Sequence, residues 1–463
     1  MLNNNLLLLT DSYKPSHALQ TPAKTEKIYS YFESRGGEFK EVVLFGPQYI
    51  LKRYLEGPVV HLDAIREAEE LYAAHLRPGI FNKAGWVHIL RNHNGRLPVS
   101  IKAVPEGTVV PTHNVLMTIE NTDPECYWLT NYLETLLVQA WYPSTVATIS
   151  RHMKKVILSA LERSGDPNLI GFKLHDFGCR GVSTMESAAI GGAAHLVNFM
   201  GTDTVPALQL LRDFYGEKMA GFSIPASEHS TMTSWGKEHE VDAYRNMLDK
   251  FPEGLVAVVS DSYDVYNAVS RIWGGVLRDR VLARNGTVII RPDSGDPKKV
   301  VPDLLDLLGK KFETTTNDKG YKVLDPHVRL IQGDGIDRHS LVDILDAVMD
   351  RGWSADNVAF GSGGGLLQQC NRDTLKFAFK CSSAVVDGKE RDVRKNPVTA
   401  SWKSSKAGRL SLVHDKMFET VHGSKWATMS ENIGLKDNLV EIFRDGKVLV
   451  DQTFAQIRER AKL

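Results

Sequence analysis

From about residue 172 onward, short apolar runs alternate with polar or glycine-rich loops and amphipathic stretches. LVAVVS at 255–260 leads into DSYD and a helical stretch; TVIIR at 287–291 leads into PDSGDP and VVPDLLDLLGKKF. VRLIQ at 328–332 is followed by GDGID and a helical stretch, and NVAF at 357–360 by GSGGG and LLQQ. Strands alternating with helices pair in parallel, because right-handed crossovers return each strand in the same direction. This rhythm predicts an α/β barrel or wound sheet. Residues 97–119 read differently: β-branched runs are split by Pro105, Gly107 and Pro111, the pattern of antiparallel strands joined by turns. Asp123, Pro124 and Glu125 read as an N-cap, a first-turn proline and an acidic first turn. They open a predicted helix with Trp128, Leu133, Leu136 and Leu137 on its apolar positions, and a second helix is predicted over roughly 145–163. The expected division is a mainly β-rich domain at 1–145, an α/β barrel at 146–380, and a segment at 381–463 that returns to the β-rich domain.

Composition narrows the function classes. Lys plus Arg and Asp plus Glu are both 56, so the net charge is zero and no global field attracts nucleic acid or anionic lipid. The four cysteines, Cys126, Cys179, Cys370 and Cys381, show no CxxC spacing, which argues against a disulfide framework and a zinc cluster and fits reduced thiols in a cytoplasm. The only apolar run near the N-terminus, Leu6 to Leu9, is too short for a signal or membrane segment. A soluble, cytoplasmic chain without nucleic-acid or membrane partners is expected.

In a parallel barrel the strand C-termini open on one rim, where ligands bind. That rim would carry Asp261, Arg291 with Asp293, Asp334, and the run Gly361 to Gly365. Glycine turns leading into helices expose backbone N–H groups suited to phosphate, and neighbouring carboxylates suit ribose hydroxyls or Mg²⁺. Each feature alone has a plain alternative, a tight turn or a helix cap. Their coincidence points to a sugar phosphate. His175 and His229 each follow a probable strand beside an acid, Asp176 or Glu228. His229 stands out because it opens the predicted helix TMTSWGKEHEVDAYRNML, and such a histidine can accept a phosphoryl group. Its spacing to Glu238 and His239 makes no HExxH zinc motif. The charges at Lys389, Arg391, Arg394, Lys395, Lys403, Lys406 and Arg409 read as a solvated face or a small-molecule phosphate site; with Trp402 as the only interleaved aromatic, a polymer is disfavoured.

The motifs TDSYKPSH at 10–17, YSYFESRG at 29–36, FGPQYI at 45–50, AVPEG at 103–107, NTDPECYWLTN at 121–131, KLHDFGCRG at 173–181 and GTDT at 201–204 run in order along the chain. SIPASEHST at 223–231, VSDSYDVYNA at 259–268, IIRPDSGDP at 289–297, IQGDGID at 331–337 and FGSGGGLLQ at 360–368 continue the series. Together the set resembles the nicotinamide phosphoribosyltransferase family of type II phosphoribosyltransferases. The resemblance implies an irregular α/β barrel, a second antiparallel β-rich domain built from both chain ends, and active sites shared across a homodimer. It implies that Phe177 and Tyr13, the latter from the other subunit, stack on the nicotinamide ring, and that Asp203 accepts from the carboxamide.

By the same resemblance, Arg180, Arg291, Gly333, Gly363, Gly364 and Arg372 hold phosphate or pyrophosphate, and Asp293 and Asp334 reach the ribose. Arg35, Lys380, Lys395 and Lys403 would serve the phosphates of pyrophosphate or ATP across the interface. His229 would be phosphorylated by ATP, with Asp261 orienting it, and Mg²⁺ would accompany the phosphates. Cys179 and Ala257 depart from the better-known members, which carry Tyr and Ser there. Nicotinate phosphoribosyltransferase, or a non-catalytic binding protein on the same fold, remain the alternatives.

Overall fold

The runs that read as buried strands form one parallel sheet in the computed structural model, which describes residues 5–395, 405–423 and 436–463. Its order is Gly201–Thr202, Leu174–Asp176, Val358–Ser362, Val328–Gln332, Val288–Arg291 and Val256–Val259. Every neighbouring pair is parallel. Val256, Val258, Val259, Val288, Ile290, Val328 and Leu330 are nearly inaccessible, as expected where helices cover one face and barrel packing fills the other. The segment between Phe222 and Ser227 joins the two sheet edges. Thr202 N–H donates to Phe222 O at one edge, while Ser227 N–H donates to Ala257 O and Ala257 N–H to Pro225 O at the other. This irregular stave closes the sheet into a barrel without being a regular strand.

Helix signals hold where capping chemistry is local. Asp296 caps Pro297–Lys311 by accepting from Lys298 N–H, with proline at the first position and Lys310 and Lys311 in the last turn. The helix expected over 231–248 is a correction: the chain forms a short helix His229–Thr233, a 3-10 turn Lys237–His239, and a separate helix Glu240–Lys250. Gly236, at φ 86°, breaks the run by taking a backbone conformation that a helix cannot accommodate. Asp123 does cap the predicted turn, but Pro124–Cys126 is a 3-10 turn and the α-helix proper is Leu129–Leu137. The next helix is Trp141–Ser164.

The chain divides into two compact units, 1–148 with 214–216 and 370–462, and 149–213 with 217–369 and Leu463. The second holds the barrel. In the first, a seven-stranded sheet runs in the order Lys389–Asp392, Phe377–Val386, Thr25–Ser34, Val115–Asn121, Val99–Ala103, Val440–Arg444, Lys447–Val448. Its neighbours are antiparallel, and strands from the C-terminal third flank three from the N-terminal third on both sides. Residues 370–380, grouped with the barrel from sequence, belong here: Phe377–Val386 pairs along the whole of Thr25–Ser34, and Phe32 stacks on Phe377 at 5.0 Å. Among the described residues no helix is long and apolar enough to cross a membrane.

Candidate active site

The barrel rim opens on a cavity of about 950 Å³. Phe177, Arg180, Asp203, Arg291, Asp293, Gly333, Asp334, Gly363 and Gly364, all singled out in the sequence, line it. Each lies at or just past the C-terminal end of a barrel strand or the adjoining loop, so the parallel topology gathers residues far apart in the chain.

Phe177 is set by the turn that follows Leu174–Asp176. Its N–H donates to Ser362 O at 2.9 Å, and Asp176 Oδ1 accepts from Gly178 N–H at 2.7 Å. Burial pushes the Asp176 carboxyl above its ordinary range despite donors from Gly178 N–H and the Thr202 hydroxyl. The Phe177 ring lies so close to Gly361 that a Cβ there would stand 1.9 Å from its Cε2; at Gly333 the separation would be 3.1 Å. Glycine at 361 is thus a condition for the ring's position. At Gly364 an added Cβ would meet nothing within 4 Å, so that backbone faces open space.

Asp203 is held at the rim by two polar side chains. Its Oδ1 accepts from His175 Nε2 at 3.0 Å and from the Ser223 hydroxyl, and its Oδ2 takes no hydrogen bond among the described residues. Burial works against its charge, but the bonds from His175 and Ser223, with the charge of Arg291 nearby, hold it below the usual carboxylate value. Asp203 is therefore an anion that accepts hydrogen bonds. Arg291 places Nη2 3.7 Å from Asp293 Oδ2, while its buried Nε has no hydrogen-bond partner among the described residues. A buried guanidinium N–H without an acceptor is costly unless an anion completes it.

His229 stands beside the cavity at the start of its short helix. Its Nε2 meets Asp261 Oδ1 at 2.8 Å, and its Nδ1 lies 3.9 Å from Asp293 Oδ2. The other Asp261 oxygen accepts from Asp293 N–H at 3.0 Å and Ser294 Oγ at 2.6 Å. Burial opposes the Asp261 charge, yet the bonds from Ser294, His229 and Asp293 N–H hold its carboxyl below the usual range. An ionised Asp261 can only accept, so His229 donates from Nε2 and turns Nδ1 toward the Asp293 side of the rim. The sequence reading does not single out Ser223, Ser294 or Asp337, although each sits inside a quoted motif. Asp337 lines the cavity and accepts from His339 and Ser340 N–H, each at 2.8 Å.

The remaining predicted residues belong to the antiparallel unit. Tyr13 is exposed, with its ring edge-on to His17 at 5.1 Å. Arg35 Nε donates to Glu33 Oε1 at 2.8 Å, and its buried Nη2 has no hydrogen-bond partner among the described residues. Burial lowers the Lys380 pKa, and the nearby charges of Arg35, Arg372 and Lys14 add to that against the pull of Glu134. These cations form one basic cluster. Lys395 is exposed, and Lys403 lies outside the described residues. Lys406 and Arg409 are spoken for by Glu33 and Glu120.

Comparison with known proteins agrees with this architecture. Residues 172–446 match the nicotinate phosphoribosyltransferase (NAPRTase) family, and residues 5–101 match the nicotinamide phosphoribosyltransferase N-terminal domain. A nicotinamide phosphoribosyltransferase of Xanthomonas campestris pv. campestris is 53% identical over 463 residues, covering 99% of this chain and 98% of that one. One from Acinetobacter baylyi is 31% identical, covering 98% and 97%. The crystal structure of nicotinate-nucleotide pyrophosphorylase from Pyrococcus furiosus superimposes with a TM-score of 0.64 at 16% identity, over 100% of this chain and 96% of that one, and shows the fold alone. The chain belongs to the nicotinate phosphoribosyltransferase family and, within it, groups with the nicotinamide phosphoribosyltransferases.

Proposed function

We propose that the chain transfers the phosphoribosyl group of 5-phosphoribosyl 1-pyrophosphate to nicotinamide, giving nicotinamide mononucleotide and pyrophosphate for NAD salvage. The observation that carries the choice of base is Asp203, an anionic acceptor beside the Phe177 ring with Oδ2 left to a ligand. A carboxamide NH₂ satisfies that oxygen, whereas the carboxylate of nicotinate meets like charge. The pyridine nitrogen of nicotinamide has a lone pair at neutral pH, so the new C–N bond needs no general base. As it forms, the anomeric C–O bond breaks and its electron pair leaves with pyrophosphate.

The protein's task is to align the two reactants and hold the leaving charge. Arg291, with its unpartnered Nε, and Arg180 suit the phosphates, together with the backbone of Gly333 and Gly363 and the open backbone at Gly364. Asp293 and Asp334 suit the ribose hydroxyls. The carboxylates at this rim are also the hard oxygen donors that Mg²⁺ takes, and the ion would offset pyrophosphate charge when bound.

Coupling to ATP is part of the proposal. Nδ1 of His229 would attack the terminal phosphorus of ATP, forming an N–P bond as the P–O bond to ADP breaks, with Asp261 stabilising the imidazolium. Tyr13, Arg35, Arg372, Lys380, Lys395 and Lys403 would complete the site from a second subunit of a homodimer. The exposed Tyr13 ring and the unpartnered Arg35 Nη2 support that role. The deciding experiment is a product assay with nicotinamide and nicotinate side by side: nicotinamide mononucleotide should dominate, and preference for nicotinate overturns the assignment.

A further inference from the structure

The antiparallel unit gathers a second set of chemistry-bearing side chains that phosphoribosyl transfer does not use. His88 lies near the end of helix Lys83–Asn92, and His93 is that helix's C-cap residue. Asp123 caps the 3-10 turn Pro124–Cys126, whose last residue is Cys126. One ligand atom from each of the four falls within 4.8 Å of all the others. The two imidazoles converge on a single oxygen: His88 Nε2 lies 2.7 Å, and His93 Nε2 2.6 Å, from Asp123 Oδ2. Asp123 Oδ1 is held by Glu125 N–H at 2.9 Å, so the carboxylate is fixed with one oxygen toward the histidines. Cys126 is fully buried, and each imidazole is about a quarter exposed (26% and 27%), which leaves an approach for a small ion.

We infer that His88, His93, Asp123 and Cys126 form a tetrahedral site for a divalent transition-metal ion, zinc above all. Two imidazoles, one carboxylate and one thiolate are ligands of the kinds zinc takes, in the number that closes a structural site, and the two negative ligands balance the ion's charge. The spacing also has that form: a histidine pair five positions apart and an Asp/Cys pair three apart, joined by an intervening segment. Metal–ligand bonds of about 2.0–2.3 Å at tetrahedral angles put ligand atoms about 3.3–3.8 Å apart. The two short histidine–aspartate bonds therefore open by about 1 Å or less as the ion replaces the shared protons. Cys126 loses its thiol proton to solvent, the His93 ring proton passes from Nε2 to Nδ1, and the His88 ring proton likewise moves to Nδ1. Asn92, whose side-chain amide lies 2.9 Å from that atom, can turn its oxygen to accept it.

The backbone around the site is already braced. Trp86 and Trp128 meet edge to face at 4.8 Å, and a Cβ at Gly85 would stand 2.8 Å from the Trp128 ring, so helix and turn press together without the ion. A bound metal would lock the turn to the helix. Such a site is a structural staple, separate in chemistry from the hard-oxygen requirements of Mg²⁺ at the barrel rim.

The test is cobalt titration of the full-length chain after chelator treatment and reduction of its thiols. One Co²⁺ per chain should bind with the intense visible bands of a tetrahedral ion and a thiolate-to-metal charge-transfer band, and Zn²⁺ should displace it. Cys126→Ser should lose the charge-transfer band, while Cys179→Ser, at the barrel cavity, should keep it. His93→Gln should weaken zinc binding by more than the roughly 10- to 100-fold that loss of an outer-shell partner alone costs. Because the wild-type titration needs no variant to fold, absence of stoichiometric cobalt with those bands overturns the site outright. So does a charge-transfer band that survives Cys126→Ser.

Discussion

The two units place their polar chemistry by opposite rules. In the barrel unit a polar rim side chain follows its own strand within a few residues: Asp203 follows Gly201–Thr202, Asp293 follows Val288–Arg291, Asp334 follows Val328–Gln332. In the antiparallel unit the polar groups meet through pairings between distant parts of the chain. Gln48 N–H donates to Glu106 at 2.6 Å, and the Gln48 side chain reaches Gln452 O, 404 positions away. A parallel barrel thus writes its site locally, one strand end at a time, whereas an antiparallel sheet of both chain ends hides its site until register is known.

The sharpest way to break that comparison is to ask whether the two kinds of unit serve one site. If each is needed, Tyr13→Ala and Asp203→Ala should each be nearly inactive. When the two are co-expressed, statistical mixing makes heterodimers in which a shared arrangement leaves one site intact, restoring about a quarter of wild-type activity. No recovery with heterodimers demonstrably present would refute sharing. Next in size is His229→Ala: the acid-labile phosphate formed on wild type with ATP should vanish, and synthesis with ATP should fall to the ATP-free level. Persistent ATP hydrolysis by a folded variant would remove His229 from that role.

A packing test within the barrel comes third. Gly361→Ala drives a methyl into the Phe177 ring, and a misplacement of about 1 Å at a stacking platform costs on the order of 100-fold in kcat/KM. An unchanged Tm together with unchanged kinetics would show that the ring does not matter to substrate placement. Smaller still is Asp203→Asn, which removes the charge but keeps an acceptor. Discrimination against nicotinate should drop by about 1–3 kcal/mol, roughly 5- to 150-fold, read as the ratio of kcat/KM values. A ratio that stays at its wild-type value would locate base selection elsewhere.

How far the sequence can be read follows from the same contrast. The four parallel strands Val256–Val259, Val288–Arg291, Val328–Gln332 and Val358–Ser362 are visible as apolar runs, with Asp261, Asp293 and Asp334 as polar positions just after three of them. Phe177, Arg180 and Asp203, by contrast, follow short strands without an apolar run and are marked only by the family resemblance. The break in the helix over 231–248 is not visible, because its hydrophobic spacing continues through Gly236 and only the left-handed backbone there ends it. The stave at 222–227 carries no strand signal, since Pro225 interrupts it and its hydrogen bonds go to two different edges. Residues 370–380 were assigned to the wrong side because nothing in their local pattern says that Phe377–Val386 will lie along Thr25–Ser34. His88 and His93 give no warning because their partners, Asp123 and Cys126, sit three strands later in the chain.

The last prediction concerns stability, where the units differ in sign. Glu106 is fully buried in the antiparallel unit, and burial pushes its carboxyl up to about 7 despite donors from Gln48 N–H and Tyr215. The folded chain therefore keeps a proton that the unfolded chain releases above its ordinary 4.5. Stability from this group is full below that value, declines as pH rises, and is gone once pH passes about 7. Lys173, enclosed at the barrel by three carbonyl acceptors, is lowered by burial to about 8, so its contribution instead grows as pH rises through 8. Glu106→Gln keeps an acceptor for Gln48 N–H and offers its amide to Tyr215 but cannot ionise. Relative to wild type it should be about 3 kcal/mol more stable at pH 8, with that gain fading toward zero below pH 4.5. Urea unfolding of both proteins across that range is the measurement, and a difference that does not change with pH would show that Glu106 does not titrate in the folded unit.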